Sequence, residues 1–155
     1  MIDYLQHERE GALVLVDTSV WISSVRRPKS AVADELRLLL ERDEVATTEI
    51  VIAEVLQAAK TEDDFADWSE RLDALHFFPA GLATWISAGH RAFELRTAGL
   101  TTPLADVVVA SVALENDLSL FAVDDDFSRI SGLRLYRPRN YDVRNQAKSP
   151  GTQDE

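Results

Sequence analysis

The run ALVLV (12–16) is aliphatic throughout, with no polar alternation. A strand wetted on one face alternates, whereas one covered on both faces does not, and that is the condition of a parallel sheet held between helices. The rest of the chain supplies the crossovers such a sheet needs. SAVADELRLLLERDE (30–44) has helical periodicity with Ser30 as its cap, VATT (45–48) reads as a short strand, and residues 49–60 and 62–75 read as helices. A short apolar HFF (76–78) precedes a break at Pro79-Ala80-Gly81, and a helix over 82–98 closes at Gly99. Thr102 caps a further helix over 101–117 with Pro103 at its first position. LSLFAV (118–123) is a second buried strand, DDDFSRI (124–130) a turn or short helix, and LRLY (133–136) a last edge strand. Strands alternating with helices give a layered α/β domain.

Asp17 interrupts the aliphatic pattern at the end of the first strand. An unpaired buried carboxylate costs several kcal/mol or more, so it needs water, a partner or a cation. In parallel α/β sheets ligands bind beyond the carboxyl ends of the strands. Asp17 and Asp124 both follow strands, and the helices that run back present their first turns at the same edge. Asp106 lies in the first turn of its helix. Glu54 lies in the second turn of the helix after VATT, outside the polar face formed by Glu49, Gln57 and Lys60. Each acid has a local explanation. Asp17 can close a turn on backbone N–H groups, Asp106 can complement a helix dipole, and Asp125 or Asp126 can cap the segment after Asp124. Convergence of four on one edge is what those explanations leave over. At about 5 Å and an effective dielectric near 20, each pair would repel by about 3 kcal/mol. His7, His76 and His90 lie elsewhere without ligand spacing, so an all-oxygen site for Mg²⁺ or Mn²⁺ is expected, with metal-assisted phosphodiester chemistry.

The chain has 155 residues, no cysteine and a net charge of −11. One domain is expected, without disulfides, thiolate metal sites or bulk attraction to nucleic acid. MIDYLQHERE lacks a signal-peptide pattern and VVVASVAL (107–114) is too short to span a bilayer, so a cytoplasmic protein without membrane association is expected. Any nucleic-acid contact must be local. RRPK (26–29) follows the first strand and should flank its edge, making Arg26, Arg27 and Lys29 candidates for phosphate contacts, with Arg134, Arg137 and Arg139 a second basic stretch. Trp21, Trp68 and Trp85 read as core or interface residues.

LVDTSVWI, TEIVIAEVL and PLADVVVASVALENDLSLFAVDDDF, in this order and spacing, resemble the PIN domain, specifically the toxin ribonucleases of VapC type, over about residues 12–137. The resemblance implies a three-layer α/β/α fold with four or five parallel strands, and an acidic active site of Asp17, Glu54, Asp106 and Asp124. Asp17, Asp106 and Asp124 would hold the metal, Ser19 would orient a ligand or water, and Asp126 would assist. It further implies a homodimer, a VapB-type antitoxin partner, and Mg²⁺- or Mn²⁺-dependent cleavage of structured RNA such as tRNA or rRNA. The domain would span 12–141, after an N-terminal extension (1–11) and before a flexible tail (142–155). Two features depart from the usual pattern: the extension itself, and Asp125 between the two acids of the last block. Two other readings remain open: a non-catalytic PIN-like interaction module, and a metal-dependent phosphohydrolase acting on another ester. An aspartyl-nucleophile phosphatase would place a second Asp where Ser19 stands, and a Lys near the last acids.

Overall fold

The computed structural model describes residues 11–138. Four strands, β1 (Val14–Val16), β2 (Val45–Thr47), β3 (His76–Phe77) and β4 (Ser119–Phe121), form one all-parallel sheet in the order β3-β2-β1-β4. The non-alternating first strand is an inner one: Val14, Leu15 and Val16 are buried, paired with Val45 and Ala46 on one side and with Ser119, Leu120 and Phe121 on the other. The helices are α1 (Thr18–Arg26), α2 (Ala31–Glu41), α3 (Glu49–Gln57), α4 (Glu62–Asp73), α5 (Leu82–Thr97) and α6 (Leu104–Glu115). They complete the three-layer α/β/α arrangement expected from the sequence. None is long and apolar enough to cross a membrane among the described residues. The expected flexible tail and all but the last residue of the N-terminal extension lie outside the described residues.

Three details differ from the sequence expectations. The segment TSVWISSVR, to which the sequence pattern gave no element, is helix α1, started by the Asp17 side chain accepting from the Ser19 N–H. Its Val, Ile and Ser residues are weak helix formers, so the cap and the burial of Val20 and Trp21 decide the conformation. LRLY is not a regular strand: Leu135 makes one isolated parallel bridge to Leu120, with Tyr136 donating back to the Leu120 carbonyl. Helix α6 begins one residue later than expected, with Pro103 at the cap position and the Thr102 hydroxyl buried without a hydrogen-bond partner.

Other signals translate directly. Ser30 caps α2 by accepting from the Ala33 N–H, and Gly99 takes a left-handed φ of 80° past the end of α5. Helix α6 is apolar nearly all round because Val107 through Ala113 are all buried. Glu49 does not merely face water. Burial pushes its carboxyl up, but the Ala80 N–H (2.8 Å), its own N–H and the Thr48 hydroxyl outweigh that and hold it below the usual range. It thereby ties the start of α3 to the loop entering α5.

Leu120 is fully buried between β1 and the bridge at Leu135. Leu120→Ala should lower unfolding free energy by about 2–5 kcal/mol in urea titrations, with an unchanged denaturant slope.

Candidate active site

Asp17 is fixed at both ends of its residue. Its backbone N–H donates to the Phe121 carbonyl (2.9 Å), which holds it level with the end of β4, and its carboxylate caps α1 through the Ser19 N–H (3.0 Å). Only 5% of the residue is exposed. Burial raises its pKa, the Ser19 hydroxyl and N–H lower it, Asp124 raises it again, and the Thr18 N–H lowers it, with a net upward result. The turn-forming and ligand-forming readings of Asp17 therefore describe one side chain.

The other three acids arrive from three different elements. Glu54, half-buried in the second turn of α3, has its carboxyl pushed up by burial and by Asp17. The Thr18 hydroxyl beside it offsets part of that rise without forming a well-shaped hydrogen bond. Asp106, in the first turn of α6, is pushed up to about 6 by burial, then by Asp17, Asp124, Glu54 and Asp126. Asp124 is exposed at the cap position of the 3-10 turn Asp125–Arg129, yet its side chain makes no cap bond there. The cap position expected at Asp125 or Asp126 thus falls on Asp124. Asp126 is half-buried and 3.8 Å from the Arg129 guanidinium. Asp17, Glu54, Asp106 and Asp124 therefore share one electrostatic site at the carboxyl edge of the sheet.

Ser19 has a more defined task than its position suggested. Its Oγ accepts from the Val123 N–H (3.1 Å), a bond across 104 residues that pins the exit of β4 to the first turn of α1. It sets where Asp124 stands relative to Asp17. Thr18, not singled out from sequence, lies between them with its hydroxyl buried beside Glu54. Its place in the triplet Asp17-Thr18-Ser19 was the only signal available.

The donors suit a hard divalent cation: four carboxylates with neither histidine nor cysteine among them. As they stand, no three His, Asp or Glu side chains among the described residues are close enough together to hold an ion. His76, which begins β3, bonds Asp43, and His90 pairs with Glu94 on α5.

The basic candidates lie differently. Helix α1 separates RRPK from the strand end, so Arg26 stands about 12 Å along the helix axis from Thr18. The expectation that this segment follows the first strand and flanks its edge did not include that intervening helix. Arg26, Arg27 and Lys29 are fully solvent-facing residues. Arg134 pairs with Asp117, and Arg139 lies outside the described residues. Trp21 is buried, edge-to-face with Trp68 at 6.1 Å, while Trp85 is largely exposed. These two buried-side rings line a groove of about 580 Å³ between α1, α2 and α4, away from the acids, with Val25, Leu36 and Leu40 along it.

The folded Asp106 binds its proton at about 6, against an ordinary 3.8. Between those values the native state holds more protons than the unfolded one, so stability falls as pH rises through the window. The destabilisation is fully present above about pH 6 and absent below about pH 4. In EDTA, wild type should melt lower at pH 7.5 than at pH 5, after subtraction of the same difference in Asp106→Asn, and the variant should melt above wild type at about pH 7.5. Mg²⁺ should raise the wild-type melting temperature and do so much less for the variant. Differential scanning fluorimetry measures both.

The family model of the PIN domain matches residues 14–133. A curated relative, ribonuclease VapC18 of Mycobacterium tuberculosis, is 28% identical over 122 residues, covering 76% of this chain and 87% of the relative. Among solved structures, VapBC2 of Rickettsia felis bound to a promoter DNA fragment aligns with a TM-score of 0.67 at 22% identity, covering 80% of this chain and 97% of that one. VapC20 of Mycobacterium tuberculosis, described as a toxin cleaving the sarcin-ricin loop, aligns with a TM-score of 0.61 at 20% identity, covering 81% and 99%. With the sheet order, the edge of acids and a family match over most of its length, this chain belongs to the PIN-domain family.

Proposed function

We propose that this protein is a metal-dependent endoribonuclease, the toxin of a VapBC-type toxin–antitoxin pair, acting in the cytoplasm on structured RNA such as tRNA or rRNA. The reading is supported by the mutual electrostatic effect of Asp17, Glu54, Asp106 and Asp124 at the carboxyl edge of the sheet, where the first three are each pushed toward protonation. Such an edge is costly unless a cation and a phosphate come to it. The similarity to ribonuclease VapC18 supports the reaction class, and that to VapC20 supports a folded RNA substrate.

Asp17, Asp106 and Asp124 would hold Mg²⁺ or Mn²⁺, with Glu54 beside them. When bound, the cation supplies Lewis-acid polarisation of the scissile phosphate and a lowered pKa for water. The chain's residues do the rest. Glu54, with a carboxyl pushed up by burial and by Asp17, accepts the proton of the attacking water. Ser19 keeps Asp124 in place through Val123, and Asp126 adds charge next to Asp106. In-line attack leaves a 5′-phosphate and a 3′-hydroxyl. The bond from Val123 to the Ser19 hydroxyl, where an aspartyl phosphatase needs a second acid, disfavours the phosphatase reading.

Purified protein should cut a structured RNA with Mg²⁺ or Mn²⁺ and stop in EDTA. Residues that only support metal ligands cost 10–100-fold when removed, so Asp17→Asn or Asp106→Asn should lose more than about a hundredfold. Undiminished cleavage by either variant would refute the assignment, and sequencing of 5′-phosphorylated ends locates the bond.

The partner is a VapB-type antitoxin, a reading supported by the VapBC complexes among the similar folds. Its inhibitory tail would cover the acidic edge, with an arginine among the carboxylates. A homodimer is supported by the outer face of α5, where Leu82, Trp85, Ile86 and Phe93 recur at helical spacing and are all exposed. Expression alone should arrest growth, and co-expression of the antitoxin should relieve it. Harmless expression, together with a monomeric mass in light scattering, would remove the toxin and dimer readings while leaving the nuclease reading to its own assay.

A further inference from the structure

RNA is a polyanion, and this chain carries a net charge of −11, so the substrate needs a cation fixed near the acids. RRPK begins at the last residue of α1, about 12 Å along the helix axis from Thr18. Arg129 is tied to the segments that carry the acids. It closes the 3-10 turn that begins after Asp124. Its Nη1 donates to the Thr101 carbonyl (3.3 Å) in the loop that delivers Asp106, and its Nη2 lies 3.8 Å from Asp126 Oδ1. One guanidinium thus spans the two segments that bring Asp124, Asp126 and Asp106 together. Among the described residues it is the single Lys or Arg within ion-pair distance of a candidate site acid.

Its partners do not use it up. A guanidinium has five N–H donors in a planar fork. One goes to Thr101, and the Asp126 contact is longer than a hydrogen bond. The side chain keeps 40% of its surface exposed. The bond to Thr101 orders the side chain in advance, which lowers the entropy lost on gripping a ligand.

We propose that Arg129 seats the RNA backbone at the acidic edge, its free donors forking onto a phosphate next to the one that is cleaved. This rests on the endoribonuclease reading above. A phosphate contact of this kind fixes register without reading sequence, and arginine makes it in a geometry that lysine does not reproduce.

The test is fluorescence anisotropy of the full chain with a labelled RNA hairpin in EDTA, over a series of KCl concentrations. Arg129→Ala should raise Kd about tenfold and reduce the slope of log K against log salt by about one contact's worth. Arg129→Gln, which keeps a donor for Thr101 but not the charge, should do the same and guards against misfolding of the alanine variant. Arg129→Lys should keep the slope and lose part of the affinity. The triple variant Arg26→Ala/Arg27→Ala/Lys29→Ala should leave Kd within about twofold. With Mg²⁺, the Gln variant should raise KM far more than it lowers kcat. An unchanged Kd and slope in both uncharged variants, or loss confined to the triple variant, overturns the proposal. A fall in kcat with unchanged Kd also overturns it, because Arg129 would then only brace the 3-10 turn. Wild type that cleaves normally beside those results leaves the nuclease reading intact, whereas wild type that neither binds nor cleaves RNA removes both.

Discussion

The Asp17 residue is held by a bond at each side: its own N–H to the end of β4, and its carboxylate to the first turn of α1. That pair of bonds places a charge at the mouth of a sheet whose central strand is out of reach of water. Everything else at the edge is arranged around it. Ser19 reaches across to Val123, so β4 cannot leave the sheet at another angle, and Asp124 follows from that exit. Thr18 meets Glu54 from α3. Remove the cap, and the relation of three elements to one another is lost along with a hydrogen bond.

The same edge shows a fold giving up stability for chemistry. Buried carboxylates that push one another's pKa upward are unfavourable in the folded chain, and the unfolded chain is free of that repulsion. The remainder of the domain has to supply the difference. It does so with a nearly unbroken apolar interior: the strands β1, β2 and β4 are wholly buried, and α6 is covered over seven consecutive residues. An acid that finds donors is handled in the ordinary way. Glu49, one turn from Glu54 on the same helix, finds the Ala80 N–H and the Thr48 hydroxyl and is held down rather than up. Five residues apart, two glutamates serve opposite ends: one locks a loop, and the other is kept available.

The layered fold was legible because burial on both faces leaves a mark that local sequence can carry, the missing alternation of ALVLV and the all-round apolar surface of α6. Caps at Ser30 and the break at Gly99 were legible for the same reason: each is a contact between residues a few positions apart. The expectation of four acids at one edge came from the directions of the strands and of the helices that run back from them. Helix α1 could not be read, since its residues favour neither helix nor strand strongly and the choice was made by Asp17 capping it and the core covering Trp21.

Sequence by itself determined which residues carry charge, where the buried strands fall, and that acids follow them. Only tertiary structure decided what those residues do. Ser19 becomes a clamp because Val123, 104 positions away, lies beside it. RRPK is set apart from the strand end by a helix, and Arg129 is tied to the loop before Asp106 because a 3-10 turn folds back against Thr101. The physical reason is common to all three. Propensity and periodicity act over a few residues, while a hydrogen bond or a Coulomb term depends on distance in space, which chain order does not specify.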